Sequence, residues 1–143
     1  MTNPPLTSMR MTRRFDASPE RVFDAWLNPD VAAKWLFTTP GSEAHFTDLD
    51  VRVGGKWTIA DTRGGVVYTA IGEYLEIDRP RRLVFSFGMP QFSPGSNWVI
   101  VEIAPDGDGC VLTLTQEDLP KDSEAAMEQG WGEMFDALAK ALA

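Results

Sequence analysis

The sequence is poor in the side chains that build metal and redox centres: one cysteine, Cys110, and one histidine, His45, among 143 residues. A lone cysteine excludes an internal disulfide and suits a reducing compartment. A lone histidine excludes a multi-histidine metal site, and a zinc site would need cysteines that the chain lacks. Positive charge is scarce too: 13 Lys and Arg face 21 Asp and Glu, a net charge of −8. Nucleic acid repels such a chain unless its basic residues gather on one face. The one dense basic cluster is Arg10, Arg13 and Arg14, and acidic residues lie close to it. No nucleic-acid partner is expected, and anionic membrane surfaces are disfavoured for the same reason. No apolar run approaches the ~20 residues that span a bilayer, so no membrane partner is expected. No charged, then apolar, then small-residue leader opens the chain, so a secretory signal is not supported. These absences together point to the cytoplasm.

What is present is ordinary for a globular chain: 43% apolar and 24% charged residues. The length fits one domain, 1–143, with Met1 to Pro5 expected to be disordered. A domain of this size buries about 68–70% of its unfolded surface, enough for a self-sufficient core. There is no internal repeat, and the longest turn-rich stretch, Gly88 to Ser96, is short enough to be a loop.

Leu6 to Phe15 reads as a first strand, with Met9, Met11, Arg13 and Phe15 on one face. Ser18-Pro19 starts a helix: the hydroxyl caps free amides and proline suits the first helical position. Val22, Phe23, Trp26 and Leu27 follow at helical spacing. Asn28-Pro29 repeats the signal, which predicts a second short helix to about Leu36, with Val31, Ala32 and Trp35 as its apolar side. Strands then follow over Glu43–Val53, Lys56–Thr62 and Val66–Ile77, and at Leu83 to Phe87, Asn97–Ala104 and Cys110–Gln116. Arg63-Gly64-Gly65 and Asp106-Gly107-Asp108-Gly109 read as hairpin turns, and Gly72 as a bulge. A closing helix runs from roughly Ser123 to Leu142, its stripe Met127, Trp131, Met134, Leu138 and Ala141, widened by Phe135 and Leu142. Short turns make the sheet antiparallel, and a curled antiparallel sheet can hold one long helix in its concave face. The fold class is α+β.

Chemistry is thinly signalled. A Ser-His-Asp triad would need His45 beside a serine and a carboxylate, and no nucleophile-elbow motif is present. His45 reads as a histidine on a strand or its edge. Cys110 reads as a small buried thiol, because its neighbours Asp106 and Asp108 would not stabilise a thiolate. Gly54-Gly55 and Gly64-Gly65 lack the spacing and lysine of a phosphate loop and read as turns. No catalytic residue, metal or cofactor is assigned.

Several stretches, in order, resemble the START-like or SRPBCC superfamily with its helix-grip fold. They run from Arg14-Phe15-Asp16-Ala17-Ser18-Pro19-Glu20-Arg21-Val22-Phe23-Asp24-Ala25-Trp26 to Ala33-Lys34-Trp35-Leu36 and Val53-Gly54-Gly55-Lys56-Trp57. Gly72-Glu73-Tyr74-Leu75-Glu76-Ile77, Arg79-Pro80-Arg81-Arg82-Leu83-Val84-Phe85 and Gly130-Trp131 complete the set. Within the superfamily the chain resembles the family related to the C-terminal domain of the activator of the heat-shock chaperone's ATPase. Each motif alone is weak; their order and spacing make the resemblance specific. It implies a START-like domain. It also implies the superfamily's range of roles: binding of lipids, sterols, polyketides or hormones, enzymes in some members, and a stress-response setting. The activator has a further N-terminal domain without a counterpart in these residues, so small-ligand binding is expected ahead of chaperone activation.

The aromatics are the informative set: five tryptophans and eight phenylalanines. Trp57, Phe85, Phe87, Trp98, Trp131 and Phe135 are candidates for the space between sheet and helix, and with Met127 they are the expected ligand-binding residues. They fill a core or line a pocket. An empty apolar pocket of ~300 Å³ would cost on the order of 7 kcal/mol, so a ligand, water or bulky side chains must fill it. Met89, Phe92 and Met127 are candidates for a mouth. By superfamily analogy His45, Tyr68, Tyr74 and Glu102 are candidates to orient a ligand, although a one-residue slip in register turns any strand residue to the other face. The expectation is therefore non-enzymatic binding of a small apolar or amphipathic molecule. A protein-interaction module with a filled core and a dehydratase- or cyclase-type enzyme are the alternatives. A protein partner, a monomer and a homodimer all remain compatible, the last by pairing of an edge strand.

Overall fold

The computed structural model describes residues 6–92 and 95–143; the expected disorder of Met1 to Pro5 lies outside the described residues, as do Ser93 and Pro94 of the turn-rich stretch. The elements run β1 (Leu6–Phe15), α1 (Pro19–Leu27), α2 (Pro29–Ala32), β2 (Ala44–Leu49), β3 (Lys56–Arg63), β4 (Val66–Asp78), β5 (Arg82–Phe87), β6 (Asn97–Asp106), β7 (Gly109–Pro120) and α3 (Glu124–Leu142). Lys121–Ser123 form a 3-10 turn ahead of α3. The strands make one antiparallel sheet in the order β1-β7-β6-β5-β4-β3-β2, so β1 and β2 are its edges. With two short helices after the first strand and one long closing helix, this is the α+β helix-grip arrangement.

The caps act as the sequence implies. Ser18 Oγ accepts the Arg21 amide at the start of α1, and Asn28 Oδ1 accepts the Asp30 amide at the start of α2. α2 is shorter than its spacing predicts. It ends at Ala32, and the chain passes through turns to Phe37, whose φ is 51°. β2 is likewise shorter than predicted, because Val51 to Gly54 bend away into a turn before β3.

Gly72 is not a bulge. The β3–β4 register runs unbroken through Trp57↔Gly72, and the register shift falls between Tyr74 and Glu76 against β5. Gly72 is needed for close approach instead: a Cβ there would stand 1.8 Å from the Ser86 carbonyl oxygen and 2.4 Å from the Trp57 indole nitrogen. Gly64 and Gly65 both have positive φ, the backbone that a two-residue hairpin turn requires.

Alternation along each strand sends one set of side chains inward. Met9 and Phe15 of β1, Leu112, Leu114 and Gln116 of β7, and Val99, Val101 and Ile103 of β6 are buried, and Trp131, Phe135 and Leu138 of α3 are buried with them. Phe135 packs edge-on to Phe15 with ring centres 5.9 Å apart. Trp131 donates its indole N–H to Gln116 Oε1 at 2.9 Å, which fixes the helix on β7. α1 closes the same core through Phe23 and Trp26, and Trp26 meets Trp35 edge-on at 4.7 Å. Cys110 is buried, as its place at the start of a strand implies, and burial pushes its thiol up.

Candidate functional site

The inner face of β2, β3 and β4 is ordered in rows by the strand register. Leu49, Trp57 and Gly72 make one row; Thr47, Ile59 and Ala70 the next; His45, Asp61 and Tyr68 the third. The first two rows are apolar but for one hydroxyl. The third is polar, and Asp61 in it is only 1% exposed.

The apolar rows border a cavity lined by Trp26, Leu36, Phe37, Leu49, Trp57, Ile59, Tyr74, Leu83 and Phe85. Its volume is ≈ 10 Å³, room for about one water. Trp57 and Phe85, two of the expected ligand residues, line it. Phe87, Trp131 and Phe135 stand in the aromatic cluster beside it, with Trp57 edge-on to Phe85 at 5.7 Å and Trp131 tilted against Phe135 at 5.9 Å. Met127 is half-buried against the core, as is Met89. Burial, with the Asp50 carboxylate nearby, pushes the Tyr74 phenol well up, so it stays protonated.

Two expected interior residues lie elsewhere. Trp98 is 53% exposed, because the β6 alternation that buries Val99, Val101 and Ile103 turns Trp98 to the outer face. Glu102 faces outward for the same reason and is paired with Arg82 at 3.1 Å. Phe92 is exposed and stacks on Tyr68, with ring centres 5.7 Å apart.

Phe37, which periodicity leaves in a loop, packs half-buried against this interior. Its ring lies 5.5 Å from Trp57 at an interplanar angle of 4° and 5.1 Å from Phe87 at 24°. Trp131 meets it edge-on at 5.5 Å. The Phe37 amide donates to Met134 Sδ of α3 at 3.1 Å. A phenylalanine at φ 51° is strained, since its Cβ crowds the backbone in the left-handed region. Such strain persists only where surrounding contacts enforce it.

The loop from Phe37 to Ser42 is fastened at the polar row. Asp61 accepts from Ser42 Oγ at 2.7 Å, Thr38 Oγ1 at 3.1 Å, Arg63 Nε at 2.6 Å and His45 Nδ1 at 3.1 Å. Burial alone pushes the Asp61 carboxyl up; the hydrogen bonds from Ser42, Arg63, His45 and Thr38 outweigh it and hold the carboxyl below its ordinary value. Arg63 also lies over the Tyr68 ring at 4.8 Å. Histidine, serine and aspartate thus do meet here, but with the aspartate in the middle: Ser42 bonds Asp61, not His45. That order activates no serine as a nucleophile.

A larger depression, about 330 Å³, lies on the surface between Arg13–Ala17 and the last turn of α3. Both of its guanidiniums are engaged, Arg13 by Asp136 and Arg14 by Asp16 and Asp106. Among the described residues, no group of three or more His, Cys, Asp and Glu could hold a metal ion, and no helix is long and apolar enough to cross a membrane.

A curved seven-stranded sheet gripping one long helix over an aromatic interior defines a START-like protein. The sequence profile described as Activator of Hsp90 ATPase homolog 1-like protein matches residues 16–143, and the chain belongs to that family. Solved structures place it further. A protein of Chromobacterium violaceum is 27% identical with a TM-score of 0.82, covering 94% of this chain and 96% of that one. A protein of Rhizobium loti is also 27% identical, with a TM-score of 0.80 over 99% of this chain and 100% of its own. The AHSA1-like protein from Aeromonas hydrophila has the same fold at 22% identity, with a TM-score of 0.77 over 94% and 91% of the two chains. No curated protein matches the chain.

Proposed function

We propose that residues 1–143 act as a single START-like domain that binds a small apolar or amphipathic molecule between the inner face of the sheet and α3, without catalysis. The observation that carries this reading is Phe37. A strained, half-buried loop residue packs its ring into the aromatic interior that strand and helix residues build, against Trp57, Phe87 and Trp131. Its departure leaves a seat walled by Trp57, Phe87 and Trp131. Trp57, Phe85, Phe87, Trp131 and Phe135, with Met127 at the start of α3, are the proposed ligand contacts. An enzyme would need an acid/base pair converging on the cavity, and Glu102 stands on the outer face.

The test is a thermal-shift screen with fatty acids, sterols and aromatic alcohols. A true ligand stabilises by RT ln(1 + [L]/Kd), about 2.7 kcal/mol at a hundredfold excess over Kd. A concentration-dependent rise in Tm with one class supports the reading. No rise with any class, with the Phe37→Ala protein equally unresponsive, removes it. That result would favour a protein-interaction module. The closed core, at ≈ 10 Å³, and the outward-facing Phe46 and Trp98 support this second reading.

A further inference from the structure

Among the described residues five buried side-chain polar atoms lack partners: the indole nitrogens of Trp26 and Trp57, Gln116 Nε2, and two that lie together on β2. Those two are His45 Nε2 and Thr47 Oγ1. They belong to adjacent rows, two residues apart on β2 and on the same face. Native proteins keep few such atoms, and an unpaired one is costly.

Asp61 decides which atom of the imidazole is open. A carboxylate only accepts, so the ring nitrogen 3.1 Å from it, Nδ1, carries the proton. In the neutral ring Nε2 is then an acceptor with an unused lone pair. The group that fits it is a hydroxyl or N–H donor.

The same loop covers this acceptor's neighbourhood and the aromatic seat. Thr38 and Ser42 fasten the loop to Asp61, the residue that orients His45, and Phe37 directly precedes Thr38. Along the strands, the His45 row and the Trp57 row are four residues apart, ~13 Å at the usual strand rise. The imidazole and the indole each extend beyond their backbones, so a molecule of two fused or linked rings can reach from one to the other. Lifting the loop would empty the Phe37 seat and leave His45 held by Asp61.

We propose that the space beneath the 37–42 loop is a binding site for a flat aromatic molecule bearing a hydroxyl or N–H donor. Its ring takes the place of the Phe37 ring against Trp57 and Phe87, and its donor is received by His45 Nε2. Asp61 is a positioning residue for the imidazole and a latch for the loop. This rests on the ligand-binding reading above and narrows it to a ligand class.

The test is calorimetric titration of the full chain with 4-phenylphenol, which has a donor, and 4-methoxybiphenyl, which has none. The wild type should bind 4-phenylphenol about tenfold more tightly or better, the scale of one good hydrogen bond. His45→Asn keeps an N–H for Asp61 but lacks Nε2. It should lose that preference while holding 4-methoxybiphenyl as before. Phe37→Ala should bind both probes more tightly, because the seat is no longer occupied by the protein's own ring. The indole N–H signals of Trp57 and Trp131 should move in the NMR spectrum on titration. Equal affinity of the wild type for the two probes overturns the inference without any variant. So does a preference that survives in His45→Asn, or probe binding that Phe37→Ala leaves unchanged. A ligand retained from the host, with neither probe bound by wild type or Phe37→Ala, overturns the inference and leaves the broader reading standing. No probe bound and no ligand retained overturns both.

Discussion

Phe37 serves two opposed ends: its ring packs against the aromatic interior, and its backbone is strained to put it there. The balance can be read with two substitutions. Phe37→Ala should lower stability by about 2–3 kcal/mol, less than the 3–5 of a fully buried ring, because this ring is half-buried. Phe37→Gly should be the more stable of the two by about 1 kcal/mol, since only glycine relaxes at φ 51°. In an unstrained loop the order would be reversed, and urea denaturation of both proteins decides. Asp61 is the second pivotal residue. Asp61→Asn presents an amide N–H₂ to side chains that donate, so it should cost about 2–4 kcal/mol by the same measurement; a loss under 1 kcal/mol would show that the latch is solvated. Asp61 was legible in principle. Trp57, Ile59 and Asp61 alternate on β3, and a carboxylate at an inward position breaks the apolar pattern, the mark of a functional or specially satisfied site. Phe37 was not, because periodicity ends with α2 and no local rule aims a loop side chain into a core.

At the scale of elements, strand and helix spacing carried most of the information. Seven strands, two short helices and a long one follow from alternation, capping residues and turn glycines in the chain. The apolar stripe of α3 correctly named Trp131 and Phe135 as interior. The strand face of β6 could not be read the same way: it is apolar on both sides, with Trp98 and Ile100 alternating with Val99 and Val101, so burial had to be settled by the partners β5 and β7. Gly72 shows the converse, a residue whose meaning is tertiary. The Trp57 indole lies where its Cβ would be, and the Ser86 carbonyl closes the other side. Gly72→Ala should therefore cost about 3 kcal/mol or more and shift the Trp57 indole signal, whereas a bulge glycine would tolerate alanine with a smaller loss. Thermal denaturation with NMR of the indole region distinguishes the two.

For the whole molecule, the acidic balance and the depressed carboxyls set the response to pH. Asp24 is held low by its hydrogen bonds from Arg79, against a smaller upward push from burial, and Asp61 is low as described. A carboxyl whose folded pKa is depressed contributes stability that is present above its unfolded value, ~3.9, and is lost as pH falls through the folded value. Tm should therefore hold through the weakly acidic range and fall below about pH 4. Asp61→Asn should flatten part of that fall, because the variant has no carboxyl to protonate there. A Tm in the wild type that is level to pH 3 would contradict the latch. The fold sets the strained ring, the latched loop and the unpaired imidazole nitrogen along the inner face of β2 and β3. Their common placement, more than any one residue, argues for a ligand.

Native mass spectrometry of the protein purified gently from its own host tests the central claim most directly. Ligand binding predicts a mass above the 15.8 kDa chain that disappears on denaturation, and greater retention in Phe37→Ala. A bare chain in both the wild type and Phe37→Ala would contradict it and leave the aromatic interior as a closed core.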